Sequence, residues 1–539
     1  MTDISEIKDA VKQTSTETIE KVIEEFESLQ VSTTEMMQGN LVVNYCTLVN
    51  TDSEMIEISN LVSSFQMYED ITKPFCSGRM TLVDGVNLLK NFKITGQESI
   101  TISVSQVEMD DAGAPTAAHE DNSITKTFRI YSVTDVHRSR QQNFQVYVLH
   151  FVDPKQITCQ RTKISKVLRN SYSEMLLQTL QEHADFKDLP ESGTDFWEES
   201  EPQHMQIIVP NWNIMKLIKF ICNNADYKGN KTWKNSMFFY QTLNGGFRFS
   251  SFQSMMQREF PIVFSYYPKQ ISSNQSNPNA DGGLNTQILD IVIPQRNNTM
   301  LGGALGTYAG LVKAFDPVRK VEEESTYSIS EVFERGEDGH VSGHPIIRTG
   351  QEELTYVGDD SEGYGACSVE HFGKVPDTDY ESFVDYKVSM TNAFSDEQKL
   401  VDASDNKSIT QQKGQEYRDS SHLERKALLG IFDQSRVNIK VPFRSDMSVG
   451  TCIQIDILEP EEDENGMPTV DDKMHDGKYL ITRMAVIVDP QKGRGYLDLE
   501  CVKESYGESL NLYQERGREN AGAMRYEWEE KEGEGDNPL

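Results

Sequence analysis

The chain has 539 residues, more than one hydrophobic core accommodates, so several domains are expected. Its 85 Asp and Glu against 52 Lys and Arg leave a net charge of −33, which opposes coating nucleic acid or an anionic membrane, since both tasks need clustered cations. The 37% hydrophobic fraction, with 24 Phe and 21 Tyr, excludes a disordered chain.

Residues 2–30 are predicted to form an amphipathic helix, because Ile4, Ile7, Val11, Ile19, Val22, Phe26 and Leu29 recur at three- and four-residue steps. The acidic start lacks the charged and apolar regions of a secretory signal. From residue 41 to 153 the period becomes two, and 41–49, 55–68, 76–83, 98–107, 124–136 and 143–152 read as antiparallel strands, with a short helix at 86–91. The acidic stretch 108–122 reads as a surface loop. Further on, Ile164, Val167 and Leu168, then Met175, Leu176, Leu177 and Leu180, are taken as helical faces. Pro210-Asn211-Trp212-Asn213 caps a helix carrying Ile214, Leu217, Ile218, Ile221 and Cys222, and Asn244-Gly245-Gly246 joins strands 236–243 and 247–252 in a hairpin.

The Ser- and Asn-rich 272–285 is a linker. Strands are expected at 287–294, 304–315, 326–333 and 352–357, mostly helical pattern over 380–430, and strands again at 437–442, 451–458, 478–488 and 495–503. The uncharged 297–312, with Gly302, Gly306 and Gly310, is too short and too glycine-rich for an ordinary membrane-spanning helix. Residues 504–539 hold ten acids against four bases and read as a solvated tail.

An internal echo links the two β regions. Gly96 to Ile102, an acidic insertion, Thr127-Phe128-Arg129-Ile130, a turn and Gln145 to Leu149 recur as Gly450 to Ile455, the insertion 459–476, Lys478-Tyr479-Leu480-Ile481, a turn and Gly495 to Leu499. Two β-barrels of one design would account for it.

No catalytic, cofactor-binding or metal residue is nominated. GxSxG, GxxxxGK[ST] and helix-opening GxGxxG motifs are all missing from the sequence. His340 and His344 stand four apart with His371 downstream, but Gly336, Gly339, Gly343 and Pro345 deny them a common helix face. The run 461–466 lacks the alternating ligands of a calcium loop. Cys46, Cys76, Cys159, Cys222, Cys367, Cys452 and Cys501 form no CxxC pair and read as reduced core thiols. An interaction protein is therefore favoured over an enzyme.

The run 70–84, with Lys73-Pro74-Phe75-Cys76 and Gly78-Arg79-Met80, followed by Leu88-Leu89 and Gly96-Gln97-Glu98, resembles the baseplate hub protein of T4-type contractile-tailed bacteriophages. More distantly it is similar to the N-terminal part of the VgrG spikes of type VI secretion. Ordered matches follow at Ile164-Ser165-Lys166, Tyr172-Ser173-Glu174, Pro210-Asn211-Trp212, Phe238-Phe239-Tyr240, Gly246 to Ser251, Gly306-Thr307-Tyr308-Ala309, Phe315-Asp316, Val441-Pro442, Asp476 to Thr482 and Glu500 to Ser505. Phe443 stands where the family commonly has Gly after Val-Pro.

The resemblance implies an α+β, mainly β fold: two tail-tube-like antiparallel β-barrels, at 41–155 and at 285–360 with 431–507, around an α+β middle domain at 156–270. A helix at 1–35, a polar helical connector at 361–430 and an acidic tail at 508–539 complete the division. It further implies a homotrimer whose six barrels form a ring. That ring would join tail tube or tube-initiator proteins to a central spike trimer, contact baseplate wedge and tape measure proteins, and leave a channel through which DNA passes. The location is the virion tail baseplate, with no membrane anchor. A VgrG-type spike subunit and a tail-associated cell-wall hydrolase are the alternatives. The chain's negative charge suggests a carboxylate-lined channel that repels DNA.

Overall fold

A computed structural model describes residues 41–106, 123–138, 144–184, 186, 189–201, 205–228, 233–258, 262–266, 286–293, 416–457, 475 and 477–506, with short pieces at 302, 306–307, 309–316, 321–328, 332, 344–345, 384–387, 399–401 and 408–410. The expected N-terminal helix, the insertion 108–122, the insertion 459–476 apart from His475, the linker 272–285, the strand at 352–357 and the tail from 508 lie outside the described residues.

In chain order the first strands are β1 (Leu41–Val49), β2 (Met55–Glu57), β3 (Val62–Asp70), β4 (Ser77–Asp84), β5 (Ser99–Gln106), β6 (Ser123–Arg138) and β7 (Gln145–Val152). The single strand expected over 55–68 is split by a 3-10 turn at Ser59–Leu61. Next come β8 (Lys163–Asn170), β9 (Ser200–Glu201), β10 (Met205–Asn213), β11 (Asp226–Tyr227), β12 (Met237–Thr242), β13 (Gly246–Ser251), β14 (Val263–Tyr266) and β15 (Asp290–Val292). Then follow β16 (Ala309–Asp316), β17 (Val321–Ser328), β18 (His344–Pro345), β19 (Val384–Lys387), β20 (Lys399–Val401) and β21 (Ser408–Thr410). The last are β22 (Arg436–Pro442), β23 (Cys452–Ile457), β24 (Gly477–Asp489), β25 (Arg494–Val502) and β26 (Ser505–Tyr506). The fold is mainly β with interspersed helices, as the sequence indicates.

Thirteen strands form one large sheet, ordered β15-β22-β25-β24-β3-β4-β7-β6-β5-β1-β2, with β23 on β24 and β14 on β23. All its pairs are antiparallel except β14 with β23. Period-two alternation buries one face: Phe65 and Met67 on β3, Met80 and Leu82 on β4, Tyr147, Leu149 and Phe151 on β7, and Leu497, Leu499 and Cys501 on β25 belong to one core.

The echo in sequence is an echo in register. Ile130 faces Phe151 as Ile481 faces Cys501; one residue then bulges out, Tyr131 or Thr482, and pairing resumes at Ser132–His150 and Arg483–Glu500. On the other side of the same strand, Ile100 faces Phe128 as Ile453 faces Tyr479. Leu82–Tyr147 corresponds to Val441–Leu497, and Phe65–Met80 to Ile291–Ile439. The Ile130 N–H donates to the Glu98 carbonyl at 2.8 Å, and its counterpart, Ile481, donates to Thr451 at 3.0 Å. Thus β3-β4-β7-β6-β5 and β15-β22-β25-β24-β23 are one arrangement built twice.

A second core belongs to the middle segment. Helix Tyr172–Ala184 buries Met175, Leu176 and Leu180, and helix Ile214–Asn224 buries Ile214, Leu217, Ile218, Ile221 and Cys222. The Asn213 side chain accepts from the Lys216 N–H at 2.9 Å, the expected cap. The expected helical face at Ile164, Val167 and Leu168 is instead strand β8, paired with β10, which the sequence reading missed. The β-branched Ile164 and Val167 suit a pleat, and alternation buries Ile164 and Leu168 at opposite ends of it. The hairpin β12–β13 turns at the expected residues, with Gly246 at φ 77°.

Within the 380–430 range the described residues comprise the short strands β19, β20 and β21 and the start of helix Glu416–Gln434. β16 pairs β17 antiparallel and β19 parallel in a separate sheet, whereas β15 joins the large sheet through β22.

Gly78 sits where β3, β4 and β7 crowd together: a Cβ there would run into the Phe151 ring and lie 2.5 Å from the Gln66 carbonyl oxygen. Its need for glycine is close approach, not positive φ. Gly96 has the positive φ, +89°. Gly78→Ala is expected to lower stability by about 1–3 kcal/mol through overpacking, and Gly96→Ala by about 1 kcal/mol, both read as shifts of the denaturant midpoint.

Candidate assembly interface

The two strand sets meet in a main-chain ladder, β24 against β3, from Arg483–Asp70 to Val488–Phe65. Six residue pairs hold it, so the second set continues the first without a break in the sheet. Where the ladder ends, Arg483 Nε donates to Asp70 Oδ2 at 3.1 Å and its Nη1 to Glu500 Oε2 at 3.2 Å. Arg436 Nη1 also reaches Glu500 Oε2, at 3.4 Å.

Glu69 locks the middle segment onto this seam. Strand alternation points it inward after Phe65 and Met67, and it is 2% exposed. One carboxylate oxygen accepts the Leu243 N–H at the hairpin turn, and the other accepts the Val449 N–H at 2.9 Å. One side chain therefore bridges β3, the middle hairpin and the segment leading into β23. Burial pushes its carboxyl up to about 7, against the pull of the two N–H donors and of nearby Arg248 and Lys126.

Further bonds follow the same line. Gln241 accepts the Cys76 N–H at 3.0 Å and donates to Asp153 Oδ2 at 2.6 Å. Lys126 Nζ lies 3.8 Å from the same carboxylate oxygen. Arg258 donates to the Gly450 carbonyl at 3.2 Å, Asn244 donates to the Ser445 carbonyl, and Trp233 Nε1 donates to Glu504 Oε2 at 3.0 Å. These groups donate and accept hydrogen bonds to main chain and to one another. They form a structural clamp between the middle segment and the two strand sets.

The face of the sheet turned away from the core is rich in hydroxyls and mixed in charge. Thr101 bonds Thr127 and Ser103 bonds Thr125, each at 2.9 Å, and Arg79 donates to Gln66 at 2.9 Å. Lys440 lies between Asp290 and Asp498 in register, and Glu500 between Asn438 and Arg483. Each of these acids has a cation beside it in the register.

The sequence nominated no site residues. Among the described residues, no cluster of three or more His, Cys, Asp or Glu could hold a metal ion, and no helix is long and apolar enough to cross a membrane. His340 and His371 lie outside the described residues, and His344 pairs with Tyr506 in β18–β26. Cys46, Cys76, Cys159, Cys222, Cys452 and Cys501 are buried and unbridged, and Cys367 lies outside the described residues. Glu69 was missed, although an acid at an inward position of an alternating strand is a legible signal.

The raised Glu69 carboxyl makes folding take up a proton. Stability from this group is complete below the ordinary carboxyl value of 4.5 and is lost as pH rises through about 7. Wild type is expected to lose on the order of 3 kcal/mol across that window relative to its own acid value. Glu69→Gln should show a flatter profile in urea midpoints measured from pH 4.5 to 8.

No protein-family model matches the chain, and no curated protein matches it. Among solved structures it is similar to a tail protein from Neisseria meningitidis MC58, at 8% identity and TM-score 0.42, over 85% of this chain and 96% of that one. It is similar to the 43 kDa tail protein of prophage MuSo2 from Shewanella oneidensis, at 8% identity and TM-score 0.43, over 85% of this chain and 98% of that one. A chain of the half-lidded Francisella PdpA-VgrG complex is similar at 12% identity and TM-score 0.39, over 94% of this chain and 65% of that one.

Proposed function

We propose that the protein is a structural subunit of a contractile phage tail, a baseplate hub in which three copies form a ring of six β units between tail tube and central spike. The observation that supports this reading is the doubled strand set joined edge to edge through β24 and β3. Such a join is head to tail: the second set offers its fourth strand to the first strand of the other set. A head-to-tail contact repeated between copies gives a closed ring if the rotation closes and a filament if it does not. Three chains with two units each would give the pseudo-sixfold platform that a sixfold tube and a threefold spike require.

On this reading each strand set is one tube-like barrel, divided at 41–155 and at 285–360 with 431–507. The 156–270 domain is a bracket held by Glu69, and 361–430 is a connector. Wedge and tape measure proteins would meet the outer parts, and DNA would pass through the opening without specific binding. The role is assembly and conduction, with no reaction assigned to any residue.

Light scattering on the full chain should return three times the 61.2 kDa subunit mass, alone or on addition of tube or spike protein. A strict monomer under both conditions overturns the ring. A zymogram on host peptidoglycan should show no clearing; clearing would favour the hydrolase alternative.

A further inference from the structure

We propose that the outward face of the β8–β10 ribbon in the middle segment is a docking surface for an acidic, aromatic strand, and that its occupant is residues 524–534 of the same chain. The contact lies within one subunit and does not depend on the ring.

Strand pairing sets Val167 opposite Ile208, while the flanking Leu168 and Ile207 turn to the second core. Ile208 is 74% and Val167 45% exposed, so two β-branched side chains stand together in water. Arg169 and Lys163 lie on the same face of β8, with Gln206 opposite Arg169. Lys166 is taken by Glu182 at 2.6 Å, whereas Lys163 and Arg169 make no ion pair among the described residues. The ribbon therefore presents an apolar pair between two unneutralised cations.

The surrounding sequence has the opposite sign to the chain as a whole. Residues 154–173 hold five bases and no acid, and 202–225 hold two lysines and no acid, in a chain of net charge −33. Such a surface selects a segment that carries apolar and acidic side chains on one side. Residues 524–534 have that pattern: in an extended chain the even positions share a face, and they read Met524, Tyr526, Trp528, Glu530, Glu532 and Glu534. Tyr526 and Trp528 cover the Val167–Ile208 pair, and the acids that follow meet Lys163 or Arg169. Both bases of the segment, Arg525 and Lys531, fall on the other face.

The tail also departs from beside this segment. Glu504 accepts from Trp233 Nε1 at 3.0 Å, and Asn235 donates to the Asn223 carbonyl at 2.9 Å. Asn223 stands at the far end of helix Ile214–Asn224, whose start continues β10, so about 15 Å of helix separates it from the ribbon. The stretch from Tyr506 to Trp528 reaches about 70 Å when extended, several times that distance. The other acidic, amphipathic stretch, residues 2–30, enters instead at Leu41, whose N–H donates to the Gly493 carbonyl in the β24–β25 turn of the large sheet. Charge, side-chain alternation and point of departure all favour the tail.

The test is the full chain carrying Glu530→Cys with either Ser165→Cys or Gln206→Cys, exposed positions on the two sides of the apolar pair, which leaves Tyr526 and Trp528 in place. The protein is oxidised mildly at low ionic strength and read by non-reducing gel and by mass spectrometry of disulfide-linked peptides. The expected result is a bridge within single subunits for one of the two pairs, the choice reporting the direction of the strand, and its loss when either cysteine is omitted. Adding Lys163→Glu with Arg169→Glu, or Ile208→Glu alone, is expected to slow bridging roughly threefold or more. Bridging unchanged by all of these overturns the docking surface. A covalent dimer overturns the assignment to the same chain. No bridge in either pair overturns the tail as occupant, and maleimide labelling at position 206 then shows whether the face is bare or covered by another segment.

Discussion

The carboxylate of Glu69 constrains three separate stretches of chain. Its two oxygens take the N–H groups of Leu243 and Val449, which lie 174 and 380 residues away in sequence. Both donors are buried, and each would carry the cost of an unmade bond if the acid were removed. The middle segment, the first strand set and the second strand set can take their relative positions only where these groups converge. Because Glu69 also stands on β3, opposite Met484 of β24, the clamp and the seam share one strand.

That sharing couples the two devices. A main-chain ladder is indifferent to side-chain identity and admits register slips wherever neither face is strongly specified. Here Phe65, Met67, Met484 and Val486 bury on one face, and Arg483 bonds Asp70 and Glu500 at the end of the ladder. A shift by one residue would turn Glu69 outward and remove both of its N–H partners. Placing the middle bracket and fixing the register are therefore one event, and the second strand set is carried into place with them.

Much of this was legible in sequence, and the boundary of legibility has a physical cause. Alternation at Phe65-Gln66-Met67 or Ile453-Gln454-Ile455 reports a half-buried strand directly, and Asn213 before Ile214 reports a helix start. The echo around Ile130 and Ile481 survives because a bulge and its flanking pairs constrain which residues can repeat. Strand β8 was misread because Ile164, Val167 and Leu168 fit a helix spacing as well as a pleat, and only its partner β10 decides between them. The seam was illegible, since β3 and β24 are separated by more than four hundred residues and a ladder leaves no side-chain signature.

The charge that opposes nucleic-acid binding takes on a narrower meaning. On the outer face of the large sheet, Lys440 stands between Asp290 and Asp498, and Arg436 and Arg483 both reach Glu500, so these acids are locally neutralised. The acidic excess is concentrated elsewhere: runs such as 459–464 and the stretch from 504 onward lie at insertions and the chain end. A wall of paired charges and hydroxyls offers DNA phosphates neither clustered cations to bind nor a uniform anionic field to cross. If this face lines the channel, weak interaction arises from local neutralisation along each strand pair, and the net charge of −33 acts on solubility and on partners met at the periphery.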